Sequence, residues 1–368
     1  LHRSRERALY TVLPAQTWAN SRKPVEIRTV EATRYVTPLR EGGSLPAIME
    51  ADNDGMYVVK FHGAGQGPKT LIAELIAGEI GRALTLPVPE IVLVELDPVL
   101  ANAEPDPEIQ ELIRKSGGLN LGLDFLPGSL AFAPAAPPEL TPELAARIVW
   151  FDAFILNVDR SPRNPNLLAW HGKLWLIDHG ASLYFHHNWP DAERVAKSSF
   201  QMSQQHILLP FAGSIPAAGA QLQPAITPEL LDGILTELPD VWLAEDPLDR
   251  TPDEMRSAYC GLLLDRLENA AVFEQQQRAL QRGTGKILVK KFWNQGAGIG
   301  QQWLQRRFAL QQGLFMAQQR RSGGRPQAQH HRGALGEGDP VNGIELAAGD
   351  LPAVADPRSA AECFPANF

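Results

Sequence analysis

The chain has 368 residues, of which 44% are hydrophobic and 21% are charged, and its formal net charge at pH 7 is -8. This length suits two domains or one protein of two lobes, and the composition is ordinary for a soluble globular protein. The negative charge argues against a whole-surface affinity for nucleic acid. The two cysteines, Cys260 and Cys363, lie far apart without metal-ligand spacing, which disfavours a disulfide framework and a zinc site.

No apolar run reaches the roughly 18 to 20 residues that are needed to cross a bilayer. The longest dense run is IVWFDAFIL, and Asp152 breaks it. The N-terminal stretch carries charges but no long apolar core, so it does not have the form of a secretion signal. We therefore expect a cytoplasmic protein with no membrane partner.

The first part of the chain is predicted to be rich in strands. Residues 1–25 form a polar lead-in that we expect to be poorly ordered, and residues 26–61 contain three strand-like segments: VEIRTVEATRYV, LPAIMEA and MYVVKF. A helix from about Lys69 to Leu84 follows, with its apolar residues on one face. The next segment, VPEIVLVELD, alternates and indicates another strand. Together they predict a small β-rich unit with one main helix.

The glycine-rich stretch between the last of these strands and the helix raises the question of a P-loop. Its sequence is GAGQGPKT, with Gly63, Gly67 and Lys69 near the expected positions. Pro68, however, separates the glycine from the lysine and removes one of the backbone N–H donors that must curl round the phosphates. The stretch is therefore interpreted as a connection from strand to helix, and Lys69 as a helix-start residue.

From about residue 105 onward the pattern becomes mainly helical. Three helix starts share one form, Thr-Pro followed by acidic residues, at Thr141, Thr227 and Thr251. In each, the threonine can cap the helix and the proline suits the first helical position, where a missing N–H costs nothing. One hairpin-like stretch, NLLAWHGKLWLID, interrupts the helices. The whole pattern predicts an α+β chain whose second half is mainly helical.

The composition shifts again after about residue 283. No Asp or Glu occurs between Gln275 and Gly336, where Gln, Arg and Gly are abundant, and the rest of the chain shows little periodicity. Residues 283–368 are therefore predicted to be a basic, Gln-rich segment followed by a disordered tail. We do not expect nucleic acid as a partner. The exception would be the basic residues 275–336, whose positive charge would suit it.

A lysine and a glutamate in the first half have the arrangement that a phosphate site needs. Phosphoryl transfer from ATP depends mainly on positioning and on neutralising charge, and kinases use a strand lysine paired with a helix glutamate. Lys60 ends the strand MYVVKF between apolar neighbours, so its ammonium should be partly buried and should need a partner. Glu74, in the following helix, is the candidate partner.

A second cluster carries carboxylates and amides. Asp159 follows an apolar helix, a loop with two prolines then carries Asn164 and Asn166, and a hairpin ends at Asp178 in the form Asp-His-Gly. Protein kinases place an asparagine five positions after the catalytic aspartate, and later an Asp-Phe-Gly. Asn164 has that spacing, whereas Asn166 stands directly before an apolar pair and remains a rival. Lys60 and Glu74 come first in the chain, and Asp159, the asparagines and Asp178 follow in the order that kinases use. The complete set therefore predicts a kinase-type site.

With these residues the sequence resembles the HipA-like kinases, a branch of the protein-kinase-like superfamily that is also similar to the phosphatidylinositol kinases. The resemblance covers about residues 26–281 and rests on five segments: VVKFHGAGQGPKTLIAELIAGEIGRAL, LPVPE, FLPGS, NVDRSPRNPNLL and LWLIDHG. Asn157 replaces the histidine of ordinary protein kinases, and His179 replaces the phenylalanine of Asp-Phe-Gly. A conventional eukaryotic-type protein kinase is therefore not expected.

The resemblance implies a bilobal protein-kinase-like fold of the α+β class. Residues 26–126 would form a small β-rich N-lobe with one main helix, residues 127–282 a mainly helical C-lobe, and ATP would bind in the cleft between them. The stretch from Gly122 to Leu126 would be the linker that meets adenine. The loop over the phosphates would contain three small residues: Gly42, Gly43 and Ser44.

The resemblance also implies a role for each candidate site residue. Lys60 would hold the α- and β-phosphates, with Glu74 as its ion-pair partner. Asp159 would orient the acceptor hydroxyl and would deprotonate it. Magnesium would be bound by Asp178 together with Asn164, or with its rival Asn166.

The function expected from this set is that of an ATP- and Mg²⁺-dependent phosphotransferase that acts on a protein Ser/Thr hydroxyl, with a regulatory protein as a further partner. Two alternatives remain open. A lipid or small-molecule kinase would transfer phosphate to an extracted metabolite or lipid pool and not to protein. A nucleotide-binding regulatory module would be stabilised by ATP without turnover.

Overall fold

The computed structural model describes residues 26–39, 45–65, 67–134, 137–199, 205–244, 246 and 248–284. The lead-in predicted over residues 1–25 and the loop of Gly42, Gly43 and Ser44 lie outside these residues. Of the segment predicted over residues 283–368, the first two residues belong to a helix that ends at Thr284, and the rest lies outside the described residues. All the described residues belong to one compact unit. The division into two lobes at residue 126 therefore stays a prediction, whereas the α+β class is confirmed.

Five strands of the first part close into a small barrel. They are β1 (Thr29–Pro38), β2 (Ala47–Ala51), β3 (Met56–Lys60), β4 (Ile91–Leu96) and β5 (Gly118–Asp124), and their order round the barrel is β1-β2-β3-β5-β4. The pair β1–β4 is parallel and the other pairs are antiparallel. The β-rich unit agrees with the sequence pattern. Its closure did not follow from that pattern, because closure depends on the pairing of two strands about 60 residues apart.

Gly122 shows why the closed sheet needs a residue without a side chain in β5. A Cβ atom at this position would lie 2.7 Å from Cγ2 of Val94 and 3.0 Å from Cγ2 of Val92. Both valines are in β4, the antiparallel neighbour of β5. Any larger residue would push β4 away from β5, so the glycine permits the close approach of these strands.

Helix α1 (Pro68–Ala83) begins where the sequence predicts. Gly67 precedes it with φ of 69°, a left-handed value that glycine adopts readily, and Pro68 occupies the first helical position. The prediction of a single apolar face is wrong, because every residue from Leu71 to Gly81 is buried. The helix packs against β4 and β5 on one side and against later helices on the other. Two-sided burial leaves Glu74 in the interior.

The remaining helices are α2 (Pro107–Lys115), α3 (Pro142–Phe154), α4 (Ala192–Ala196), α5 (Ile215–Leu222), α6 (Pro228–Thr236), α7 (Asp240–Leu243), α8 (Pro252–Glu268) and α9 (Ala270–Thr284). The three predicted Thr-Pro starts are confirmed. Thr141, Thr227 and Thr251 each accept a hydrogen bond from the backbone N–H three residues later. At Thr251 the side chain of Glu254 returns the bond, which completes a capping box.

A second, three-stranded sheet carries the predicted hairpin. Its strands are β6 (Leu130–Ala131), β7 (Leu167–Trp170) and β8 (Lys173–Leu176), in the order β6-β7-β8. The N–H of Leu176 donates to the carbonyl of Pro87, which joins this sheet to the connection between α1 and β4. The largest hydrophobic cluster extends from α1 through α3 to the later helices. Among the described residues, no helix combines the length and apolar character that crossing a bilayer requires.

Candidate active site

Lys60 lies at the end of β3, where the barrel meets α1. Its side chain is 7% exposed, and its Nζ lies 2.6 Å from Oε2 of Glu74 and 2.5 Å from Oδ1 of Asp178. Burial by itself would lower the pKa of this lysine, but the two carboxylates outweigh burial and raise it above its usual value. The Lys60 side chain is therefore a permanently charged ammonium that joins strand, helix and hairpin.

Glu74 is the fully buried member of this group. In addition to Lys60, Oε1 of Glu74 faces the Nδ1 atom of His179 at 3.4 Å. The side chains of Glu74 and His179 have no exposed surface. Burial would raise the pKa of Glu74, but the charge of Lys60 holds it well below its usual range. An ionised glutamate inside the core fixes the direction of the lysine, as the sequence predicts for an ion-pair partner.

Asp178 lies two residues after the end of β8, just before a turn at Gly180 and Ala181. Its φ of 57° is left-handed, an uncommon conformation that persists only when the surrounding structure enforces it. Gly180 permits a close approach to α1, because a Cβ there would lie 2.5 Å from Cγ2 of Thr70. The turn can thus pack directly on the helix of Glu74. The carboxylate of Asp178 is 45% exposed, which leaves it accessible to a ligand.

Asp159 lies in the loop after α3, with both candidate asparagines around it. Its Oδ2 accepts hydrogen bonds from Nδ2 of Asn164 at 2.7 Å and from Nδ2 of Asn166 at 3.4 Å. Its own N–H donates to the side-chain oxygen of Asn157 at 3.1 Å. Burial, supported by the nearby charge of Asp178, raises the pKa of Asp159.

Asn166 lies between Asp159 and Asp178. Its Nδ2 atom also lies 3.4 Å from the carbonyl oxygen of Asp178, and its φ of 47° is left-handed. Asn166 is buried, whereas Asn164 is exposed. Because both amide nitrogens face Asp159, the side-chain oxygen of each asparagine remains for a cation. The structure thus brings together six of the residues that the sequence predicts: Lys60, Glu74, Asp159, Asn164, Asn166 and Asp178.

A model of one protein family, described as HipA-like kinase, matches residues 33–276. The chain belongs to the HipA-like kinase family. A solved structure of the proinflammatory kinase CtkA from Helicobacter pylori is 14% identical, with 68% of this chain and 98% of that chain covered and a TM-score of 0.44. No curated protein sequence matches the chain. Membership of the family makes a kinase-type phosphotransferase the established class of this chain.

Several backbone N–H groups at and just before the glycine-rich stretch of this HipA-like kinase are bonded inside the protein. The N–H of His62 donates to the side-chain oxygen of Asn120, and that of Gly63 donates to Oγ of Ser116. The N–H groups of Ala64 and Gly67 donate to the carbonyls of Phe61 and Ala64 and close turns. Because a P-loop needs such donors for phosphates, these bonds favour the interpretation of the stretch as the connection from β3 to α1.

Lys69 contacts a different part of the protein from Lys60. Its Nζ donates to the carbonyl oxygen of His186 at 2.7 Å, which ties the start of α1 to the segment after Asp178. The sequence assigns Lys69 to the helix start, and the structure places it at the second residue of α1.

Two charged residues and a histidine beneath the site were missed by the sequence reasoning. Asp152 in α3 has a fully buried carboxylate, and Arg160 and His206 both contact its Oδ2. A signal for Asp152 was available, since a carboxylate that interrupts the longest apolar run needs buried partners. His206 gave no signal, because it lies 54 residues after Asp152 and carries no motif.

The donor set of the site fits a magnesium ion that is shared with phosphates. Within the described residues, no group of three or more His, Cys, Asp and Glu side chains converges as metal ligands would. Magnesium, however, is usually held by one or two protein carboxylates together with substrate phosphates and water. Asp178 and the amide oxygens of Asn164 and Asn166 supply hard oxygen donors of that kind at one place.

Proposed function

We propose that this HipA-like kinase transfers the γ-phosphoryl group of ATP to a serine or threonine hydroxyl of a protein, with Mg²⁺ as the metal. The observation that carries the proposal is the position of Lys60, whose ammonium contacts Glu74 and Asp178 at once. Asn166 extends this group to Asp159. A buried cation, an accessible carboxylate and a loop carboxylate at one place are the parts that phosphoryl transfer needs.

In the proposed complex, Lys60 neutralises the α- and β-phosphates. An ammonium held by the ionised, buried Glu74 cannot turn away or lose its proton, so it costs little reorganisation when the nucleotide binds. The nucleotide would lie between residues 26–126 and residues 127–282. The loop of Gly42, Gly43 and Ser44 remains our candidate for the cover over the phosphates.

Asp159 is proposed to orient the acceptor hydroxyl and to take its proton. As the acceptor oxygen forms a bond to the γ-phosphorus, the bond from that phosphorus to the bridging oxygen breaks and ADP leaves. The hydroxyl proton passes to the carboxylate of Asp159 and from there to water. The raised pKa of Asp159 brings its proton affinity closer to that of a base working near neutral pH.

Asp178 is proposed to hold the metal together with Asn164, or with Asn166 in its place. When it is bound, the metal supplies positive charge that offsets the charge developing on the transferred group. The backbone is left-handed at both Asn166 and Asp178, and the side chain of Asn166 contacts the carbonyl of Asp178. This conformation is proposed to hold both residues close to Asp159. Strained positions of this kind are typical of catalytic sites.

The proposal is tested with labelled ATP and the full chain in the presence of Mg²⁺. Wild type should label itself or an added protein extract on serine or threonine, and Asp159→Ala should not. Equal labelling by both proteins would overturn the assignment. Transfer to an extracted lipid or metabolite pool, with none to protein, would instead identify a lipid or small-molecule kinase. Stabilisation by ATP without any transfer would identify a regulatory module.

A further inference from the structure

The buried carboxylate of Asp152 is the centre of a network beneath the proposed site. Its Oδ1 accepts from Nδ2 of Asn157 at 2.9 Å. Its Oδ2 accepts from Nε of Arg160 at 2.6 Å and from Nε2 of His206 at 2.8 Å. Burial would raise the pKa of Asp152, but Arg160 and His206 outweigh burial and hold it well below its usual range. The network is therefore built round a permanent negative charge.

Arg160 connects the carboxylate of Asp152 to the two loops of the site. Its Nη1 donates to the carbonyl oxygen of Asn166 and faces the carbonyl oxygen of Ile177 at 3.5 Å. The N–H of Ile177 donates to the same carbonyl of Asn166 at 3.1 Å. Arg160 thus lies where the loop of the asparagines meets the residue before Asp178, and its side chain is buried.

His206 closes the network from a distant part of the chain. The N–H of Leu208 donates to Nδ1 of His206 at 3.0 Å, and because a backbone N–H is always a donor, Nδ1 must be the acceptor. The proton of the ring is therefore on Nε2, where it is donated to Asp152. The N–H of Ile207 also donates to the carbonyl of Arg160 at 3.2 Å. Side chain and backbone both hold this segment against the site.

We propose that His206 is a positioning residue for the metal site of the phosphotransferase, acting through Asp152 and Arg160. This inference rests on the proposed function. The Nε2–H group fixes the carboxylate of Asp152, and the carboxylate fixes the guanidinium of Arg160. The guanidinium then sets the distance between the carbonyls of Asn166 and Ile177, and with it the separation of the loop asparagines from Asp178.

Two substitutions separate this role from a role in folding alone. His206→Gln can place an amide N–H near the position of Nε2 and keep the bond to Asp152. His206→Asn is too short for that, but its oxygen can replace Nδ1 as the acceptor for Leu208. A matched control is His171→Asn, because His171 is exposed in the β7–β8 turn and its left-handed φ of 49° suits asparagine.

The measurement is the affinity for the non-hydrolysable analogue AMPPNP by calorimetry on the full chain, once with EDTA and once with saturating Mg²⁺. The dissociation constant with EDTA divided by that with Mg²⁺ measures how much the metal strengthens binding of the analogue, and it does not need turnover. Loss of a group that orients metal ligands indirectly reduces metal affinity by about tenfold or more. We expect His206→Asn to reduce the ratio by about tenfold with the EDTA value unchanged. His206→Gln and His171→Asn should keep the wild-type ratio.

Each other outcome overturns a defined part of the account. If His206→Asn keeps the wild-type ratio while wild type transfers phosphate, the positioning role fails and the proposed function stands. The role also fails if His206→Gln is as impaired as His206→Asn, since the Nε2–H donor then does not matter. If wild type binds no AMPPNP with Mg²⁺ and transfers no phosphate, the proposed function and this inference fail together. Should His206→Asn not fold, ¹⁵N spectra of wild type decide, because a proton on Nδ1 would contradict the role.

Discussion

Replacing Lys60 with methionine removes the positive charge that contacts both Glu74 and Asp178. The two carboxylates respond differently, because Glu74 has no exposed side-chain surface while Asp178 is 45% exposed. Asp178 can be hydrated after the substitution. Glu74 is left as a buried charge beside His179 at 3.4 Å. The energetic cost should therefore arise mainly at Glu74.

Breaking a buried ion pair by removing one partner costs about 3–5 kcal/mol, so Lys60→Met should lower the free energy of unfolding by about that amount at neutral pH. In wild type the pKa of Glu74 is lowered, so the stability from the pair is present above the unfolded-state value of about 4.5 and is lost as pH falls through the folded-state value. In the variant, burial acts without Lys60 and raises that pKa. The stability difference should therefore shrink as pH falls from neutral towards the ordinary glutamate value of about 4.5.

The same substitution should abolish phosphate transfer. Removing one preorganised hydrogen-bond donor from a transition state already costs about 10²–10³ in kcat, and Lys60 is proposed to supply both such donors and a positive charge to the phosphates. The assays are denaturant unfolding across this pH range and transfer from labelled ATP. Lys69→Met is the matched control, because Nζ of Lys69 donates to the carbonyl of His186 and not to a carboxylate of the site. This variant should keep most of the activity. Loss of transfer in Lys69→Met with activity retained in Lys60→Met would refute the reasoning and restore a P-loop.

Three further predictions concern the other residues of the site. Because burial raises the pKa of Asp159, transfer should decline on the acid side at a higher pH than an ordinary aspartate with pKa 3.8 would give, and a kcat–pH profile that stays flat down to that value would contradict this. Asn164→Ala and Asn166→Ala should differ in the Mg²⁺ concentration that gives the half-maximal rate, and the variant with the larger increase identifies the metal ligand. If neither variant increases this concentration, both asparagines are excluded as metal ligands. Gly180→Ala should destabilise the protein by about 1–3 kcal/mol in thermal unfolding, because its Cβ would lie 2.5 Å from Cγ2 of Thr70, and Thr70→Ala should restore much of the loss; an additive double variant would argue against the clash.

The sequence was most informative where one local pattern determines one local structure. The Thr-Pro helix starts at Thr141, Thr227 and Thr251 could be predicted because capping involves residues three apart. Lys60 and Glu74 could be paired because strand, short connection and helix follow one another directly. The hairpin that ends at Asp178 had an equally local signal.

The features that the sequence did not reveal depend on contacts between distant segments. The burial of α1 on two sides arises because the barrel and later helices cover it from opposite directions. The barrel closes through β1 and β4, whose pairing has no local signature. His206 joins Asp152 across 54 residues, and a single histidine outside any motif gives no warning of such a partner.

The most direct test of the central claim is phosphoproteomic mass spectrometry of one lysate incubated with ATP and Mg²⁺, after addition of either wild type or Asp178→Ala. Asp178 is the accessible carboxylate that contacts Lys60, so its loss should stop transfer. We predict serine or threonine phosphosites that appear with wild type and are absent with Asp178→Ala. Identical phosphosite patterns for the two proteins would contradict the account.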